Sequence, residues 1–347
     1  MSNNQVKYQI KPGSVNGIPT YINHESDFGA HLGFNTESQF IAANLKANDG
    51  REFGIMLHMG FINPKKVPLM KKAPYPLMGN IVSMIDFTNN EYIAKETAFT
   101  RPSQFSYEFS DLNLKSPISY LRREGNKFFA GTDLPDNRGH IDLEMQLAGP
   151  IMFNCATGAF PFLNDEVLAY QFSVPTLTST GTLTLDGKKY QVSGDVWLDR
   201  QWGDLSKDAL ANHHQWQWMN LNLSNGYRIS VWDVTVNNGK ENAWATIISP
   251  DGVHTVVDVV PFNEDADKFF TSTETGQVYP TKWTIRMPSI DSEFNVEVRG
   301  TQKQEIVSKV KQDKYEGSCT FDGTFKGEHV TGFNYVELVG NFQPELN

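Results

Sequence analysis

The sequence predicts an all-β protein made of two antiparallel β domains. Three observations carry this. Apolar and polar residues alternate with a period of two along most of the chain. Asp-Gly and Asn-Gly pairs sit between the alternating runs, where two-residue hairpin turns need them. Helical periodicity is scarce, and 347 residues is a length that favours two domains over one.

The elements follow in order. "ESQFIAANLKANDGREFGIMLHMGF" reads as two strands about an Asp49-Gly50 turn. In "GTLTLDGKKYQVSG", Leu183 and Leu185 alternate with threonines, an Asp-Gly turn follows, and Tyr190 and Val192 resume the pattern. "NLNLSNGYRISVWDVTV" forms a third hairpin around Asn225-Gly226. "EFNVEVRG" and "YEGSCTFDGTFKGEHVTGFNYVELVG" are further strands with glycine turns. "NEDADKFF" and "LSKDALANHH" are the two segments that suit short helices. Many short strands at regular spacing suit sandwiches or barrels. The boundary is expected near "GDLSKDALANHH", giving domains 1–204 and 205–347.

Composition excludes several functions. A net charge of -10 argues against nucleic acid and anionic membrane as partners. No apolar run approaches membrane-spanning length, and the start lacks a basic segment followed by an apolar one, so a cytoplasmic protein is expected. The two cysteines, Cys155 and Cys319, are too far apart in sequence to suggest a zinc site and too few for a disulfide framework. There is no HExxH, GxSxG, EF-hand loop, P-loop or GxGxxG. His213-His214 would point to opposite faces of a strand. No metal and no cofactor are expected.

Two stretches carry possible chemistry. In "GDVWLDRQWGD", alternation sends Val196, Leu198, Arg200 and Trp202 one way and Trp197, Asp199 and Gln201 the other. Asp199 should then be buried and hydrogen-bonded, because an unpaired buried carboxylate is costly. In the Asn225-Gly226 hairpin, a two-residue turn pairs Ser224 with Tyr227 and sets Trp218 opposite Asp233. Trp216, Trp218 and Asn220 would share a face with Ile229, Val231 and Asp233; a three-residue turn would set Gln217 opposite Asp233 instead. A carboxyl among indoles holds its proton and can act as a general acid. Aromatic faces stabilise cations. Together these suit protonation of an alkene and capture of the cation by water. The competing reading pairs Asp233 with an arginine such as Arg200 and leaves the tryptophans as core.

"SGTLTLDGKKYQVSGDVWLDRQWGD" resembles the signature of the AttH-like and carotenoid 1,2-hydratase-like family, in which Gly-x-x-Trp-x-Asp-[His/Arg]-x-Trp-Gly follows such a hairpin. The resemblance extends to "YPTKWTIRMPSIDSEFNVEVRG" and to the Tyr-x-Gly…Gly-x-x-Tyr-x-Glu-x-x-Gly pattern near the C-terminus. It implies two lipocalin-like antiparallel β-barrel domains packed together, with an apolar ligand pocket near their junction. Members include hydratases of carotenoid or prenyl double bonds, the kievitone hydratases among them, and related proteins cyclise polyenes. Carried onto this chain, the motif falls on Trp197, Asp199, Arg200 and Trp202, on Trp218, Trp232 and Asp233, and on Tyr335 and Glu337. Arg200 stands where carotenoid hydratases have histidine, and arginine is no proton shuttle.

The expectation is therefore a cofactor-independent hydratase of a prenyl or terpenoid alkene, monomeric or homodimeric. Asp233 would be the acid, and Asp199 or Glu337 would position water. Trp202, Trp216, Trp218, Trp232 and Tyr335 would line the substrate, and Arg200 would orient a carboxylate. A polyene cyclase or a carrier of an apolar small molecule would use the same pocket.

Overall fold

A computed structural model describes residues 13–15, 18–64, 76–160, 162, 169–204, 215–235, 241–263, 265–308 and 313–343. The protein is all-β, with two large antiparallel sheets. Among the described residues the first has 13 strands. Its centre is Glu52–Ile62, Thr36–Ala47, Lys188–Gly203 and Ala169–Leu185, side by side in that order. The second, counted over the same described residues, has 10 strands, centred on Glu241–Ile248, Arg228–Thr235, Gln215–Leu223, Glu328–Val339 and Lys314–Phe325. The first sheet uses only residues before 204 and the second only residues after 214. The segment where a boundary is expected, 205–214, lies outside the described residues, and His213, His214 and the expected "LSKDALANHH" helix lie there too.

The longest hairpin forms as the sequence dictates. Asp186 and Gly187 both take left-handed backbone angles, φ 49° and 77°, which a two-residue turn requires. Leu185 then faces Lys188, and the ladder continues to Ala169 and Gly203. It is interrupted between Val174 and Leu177, where Pro175 cannot donate to the ladder and the strand bulges. The expected helix in "NEDADKFF" does not form. Ala266–Thr271 is instead a strand on Val278–Met287, with Phe269 and Phe270 opposite Pro280 and Tyr279. Eight residues of weak helical pattern yield to a free sheet edge.

Each sheet curls around its own apolar core. Ile41, Leu57, Val82, Phe172, Leu198 and Trp202 belong to the first core, and Met219, Val231, Trp283, Phe294 and Val336 to the second. A third cluster draws on both sheets: Phe40, Trp197, Phe160 and Phe162 meet Trp218, Trp232, Trp244 and Tyr335. The seam and the first core together explain the aromatic density of "GDVWLDRQWGD", Trp197 lying at the seam and Trp202 in the core. Early in the Lys188–Gly203 strand exposed and buried residues alternate, but 196–200 are buried on both faces. One face fills the first core and the other meets the second sheet. Gly54 leaves no room for a Cβ, because the Ser318 side chain of the second sheet lies directly against its backbone.

Polar contacts also cross the seam. The Phe153 amide donates to His254 Nε2 at 2.9 Å, and the Cys155 amide to Thr246 Oγ1 at 2.9 Å. Ser308 Oγ donates to Glu96 Oε2 at 2.6 Å. Among the described residues no helix is long and apolar enough to cross a membrane.

Candidate active site at the seam between the sheets

Three tryptophans form one row across the second sheet. Trp218 is directly opposite Trp232, and Trp232 opposite Trp244. Trp232 and Trp244 stack with ring centres 5.8 Å apart and planes 8° from parallel. Phe40 of the first sheet presents its edge to Trp218 at 5.4 Å and lies 5.7 Å from Tyr335. Trp197 lies 6.3 Å from Trp218. Two indoles find acceptors: Trp218 Nε1 donates to Ser230 Oγ at 3.0 Å and Trp244 Nε1 to Asn154 Oδ1 at 3.2 Å. The buried Trp232 Nε1 has none.

Asp199 lies at this wall, buried. Its Oδ1 accepts from Trp197 Nε1 at 2.7 Å and from the Ser173 hydroxyl. Burial pushes its carboxyl up to about 7, against those two donors and with the charge of Glu337 adding to the rise. A group titrating there is half protonated near neutrality.

Glu337 faces the same seam from the second sheet. Trp216 Nε1 donates to it at 2.8 Å, and Lys314 Nζ lies 3.4 Å away. Burial opposes its ionisation, but Lys314 and Trp216 outweigh burial and hold the carboxyl below its ordinary value. Glu316 is directly opposite Glu337 on the neighbouring strand, 2.6 Å from Lys314. It has no exposed side-chain surface, and burial drives its carboxyl well up despite the lysine. Tyr335 completes this end, its hydroxyl 3.4 Å from Ser83 Oγ of the first sheet.

Three expected residues lie elsewhere. Asp233 is opposite Gln217, not Trp218. The turn spans Ser224 to Gly226: Leu223 N–H donates to Tyr227 O at 3.0 Å, and only Gly226 is left-handed, at φ 90°. The Ser224 amide donates to the Thr331 carbonyl at 2.9 Å and the Thr331 amide to Ser224 Oγ at 3.2 Å, on the neighbouring strand, so Ser224 is unavailable to Tyr227. The register moves by one residue and the whole face inverts. Asp233 shares its side with Val231 and Ile229 as expected, but that side is the core of the second sheet. There it accepts from the amides of Phe262 and Asn263 at 2.9 and 3.2 Å. Burial, with the charge of Glu241, pushes it up to about 7.

Trp202 is the second such residue. It lies inside the first sheet's core, stacked on His31 at 4.0 Å and away from the other tryptophans. The third is Arg200 on the same inner face. It is fully buried, pairs with Glu37 at 2.9 Å, bonds His31 Nδ1 at 2.8 Å and donates to the Gly29 carbonyl. Its carboxylate partner is thus Glu37 and not Asp233.

Trp216, Trp218, Trp232, Tyr335, Asp199 and Glu337 are brought together. Glu316 and Lys314 were missed, although the signal was present. Lys326 and Gly327 form a two-residue turn with both residues left-handed, φ 53° and 78°. Counting back from it sets Glu316 opposite Glu337, and alternation puts Lys314 on the same face. An open groove of about 400 Å³, bounded by the exposed Lys46, Thr180, Gln191 and Ser193, lies on the first sheet. Among the described residues no three His, Cys, Asp or Glu side chains converge as a metal would require.

Comparison with known proteins agrees with this architecture. Dehydratase asqC of Emericella nidulans is 29% identical over 181 residues, 49% of this chain and 50% of that protein. Kievitone hydratase of Fusarium solani subsp. phaseoli is 26% identical over 215 residues, 59% of this chain and 58% of that protein. The chain thus matches between half and three fifths of the length of these relatives. Two solved structures share the fold. A putative AttH from Nitrosomonas europaea has a TM-score of 0.80 at 20% identity, covering 92% of this chain and 97% of its own. Kievitone hydratase from Nectria haematococca has a TM-score of 0.76 at 21% identity, covering 96% and 97%. The sequence model of the AttH-like family matches residues 19–341, nearly the whole length, and the chain belongs to that family.

Proposed function

We propose that the protein is a hydro-lyase that adds water to, or removes it from, an apolar prenyl or terpenoid substrate held in the seam, with Asp199 as the acid. The observation that carries this is a buried carboxyl, bonded to Trp197 and Ser173 and facing the tryptophan row, which burial pushes up to about 7. In hydration the Asp199 O–H gives its proton to the less substituted alkene carbon, leaving a tertiary cation and an aspartate. Trp218 and Trp232 offer π faces to that cation. Water then bonds to the cationic carbon and passes its extra proton to the ionised Glu337 or back to Asp199. Dehydration is the same path reversed. The unpaired Trp232 N–H is a ready donor to a substrate oxygen. The names of the two relatives, a hydratase and a dehydratase, support this reaction class.

The test is incubation with prenylated phenols, terpenoids and linear polyenes in oxygen-18 water, read by mass spectrometry. A hydratase incorporates one labelled oxygen, a cyclase leaves the mass unchanged, and a carrier changes nothing. Asp199→Asn should fold, bind substrate and lose about 10²-fold or more in rate, the usual scale for a general acid. The parent rate should fall as pH rises through about 7, where Asp199 loses its proton. Asp233→Asn should keep the activity, because Asp233 faces away from the seam. Full activity in Asp199→Asn would reject Asp199 as the acid.

A further inference from the structure

Three buried carboxyls and one ammonium share the seam. Asp199 comes from the first sheet, and Glu316, Glu337 and Lys314 from the second. The other titratable groups around them are His58 beside Phe40, Tyr92, whose hydroxyl donates to the Glu316 carbonyl at 3.2 Å, and Tyr335 with Glu305. One ammonium balances one carboxylate, and a second unpaired charge in so water-poor a place is costly. Like charges directly opposite on neighbouring strands also repel, so Glu316 and Glu337 cannot both ionise cheaply.

Geometry decides between them. Glu337 has two donors, Trp216 at 2.8 Å and Lys314 at 3.4 Å, and keeps 17% of its side-chain surface exposed. Glu316 has none exposed, and neither of its oxygens receives an aligned hydrogen bond although Lys314 is 2.6 Å away.

We propose that Lys314, Glu316 and Glu337 form one positioning unit for Asp199, in which Lys314 and Trp216 hold Glu337 as the charged member and the Glu337 charge reinforces the effect of burial on Asp199. Glu316 is the neutral member. Its catalytic consequence rests on Asp199 being the acid, but the unit belongs to the unliganded protein and is measurable without substrate. Glu337 is directly opposite Trp218, whose ring lies 6.3 Å from Trp197, the indole that donates to Asp199, and its charge adds to burial in raising the Asp199 carboxyl.

Carbon-13 NMR of full-length protein labelled at the aspartate carboxyls reads the Asp199 titration, with its signal assigned by its loss in Asp199→Asn. Glu337→Gln removes the charge and should lower the Asp199 midpoint by about one pH unit. Glu316→Gln replaces a neutral acid by a neutral amide and should leave the midpoint in place. Lys314→Met should lower it, because both facing glutamates then become neutral, and Lys314→Arg should restore it. Should Lys314→Met fail to fold, the two glutamine variants decide. An unchanged midpoint in Glu337→Gln, or an equal fall in Glu316→Gln, overturns the proposal. Midpoints that move as expected while the hydration pH profile stays fixed would keep the unit and reject Asp199 as the acid.

Discussion

Asp199 and Arg200 are adjacent and have opposite fates. Arg200 has a carboxylate partner, Glu37, inside the first core, whereas Asp199 has two neutral donors and no cation. This makes Asp199 a liability for stability. Its carboxyl is raised from 3.8 to about 7, so the folded state prefers the protonated form. The resulting stabilisation is full below the unfolded value and is lost as pH rises through about 7. Asp199→Asn should therefore match its parent near pH 4 and exceed it at pH 8, by at most about 4 kcal/mol, the free energy between those two pKa values. Urea midpoints at the two pH values measure this, and an equal loss at both would make Asp199 a packing residue. The position of Asp199 was legible because nothing interrupts the alternation from Val196 to Trp202. That of Asp233 was not, because it depended on the form of the turn at Ser224 to Gly226.

Turns decide the site at the scale of the element. Asp186-Gly187 and Lys326-Gly327 adopt two left-handed residues each, and counting from them gives the true registers. Asn225-Gly226 looks equivalent in sequence, but Asn225 is not left-handed, and Ser224 is held by Thr331. The dipeptide could not reveal this, because the competing partner lies on a strand more than 100 residues later. The single left-handed residue makes Gly226 the sensitive point. Gly226→Ala should cost about 1–2 kcal/mol through backbone strain, with its Cβ also 3.1 Å from Pro250 Cγ, read as a lower urea midpoint with an unchanged slope. A neutral result would mean that the turn relaxes to another form. The "NEDADKFF" segment carries the same lesson, for its strand exists only because Val278–Met287 offers an edge.

At the scale of the whole molecule, the sequence shows two β-rich halves, and among the described residues each sheet is drawn from one side of 205–214. What it conceals is which faces meet. Burial on both faces of 196–200 is written in the residues, but the identity of the covering surface is not. Alternation specifies a strand's two sides and says nothing about what lies across a gap. The tryptophan row, Asp199 and the Lys314–Glu316–Glu337 group acquire a common meaning only when the second sheet lies on the first.

The seam also sets an order of events in folding. Ser83 and Tyr335, which meet there, are 252 residues apart in sequence. Hairpins such as Ala169–Leu185 with Lys188–Gly203 close over a two-residue turn and can form early. Contacts of very long sequence separation pay their loop entropy before any reward, so they form late. Refolding should show strand signal in the far ultraviolet well before the indole fluorescence settles, because Trp197, Trp218, Trp232 and Trp244 are all seam residues. Coincident kinetics would mean that the sheets associate as they form. A late seam gives the cell a chain that is structured before it is competent, and ligand that binds only the finished seam would draw the last step to completion by mass action.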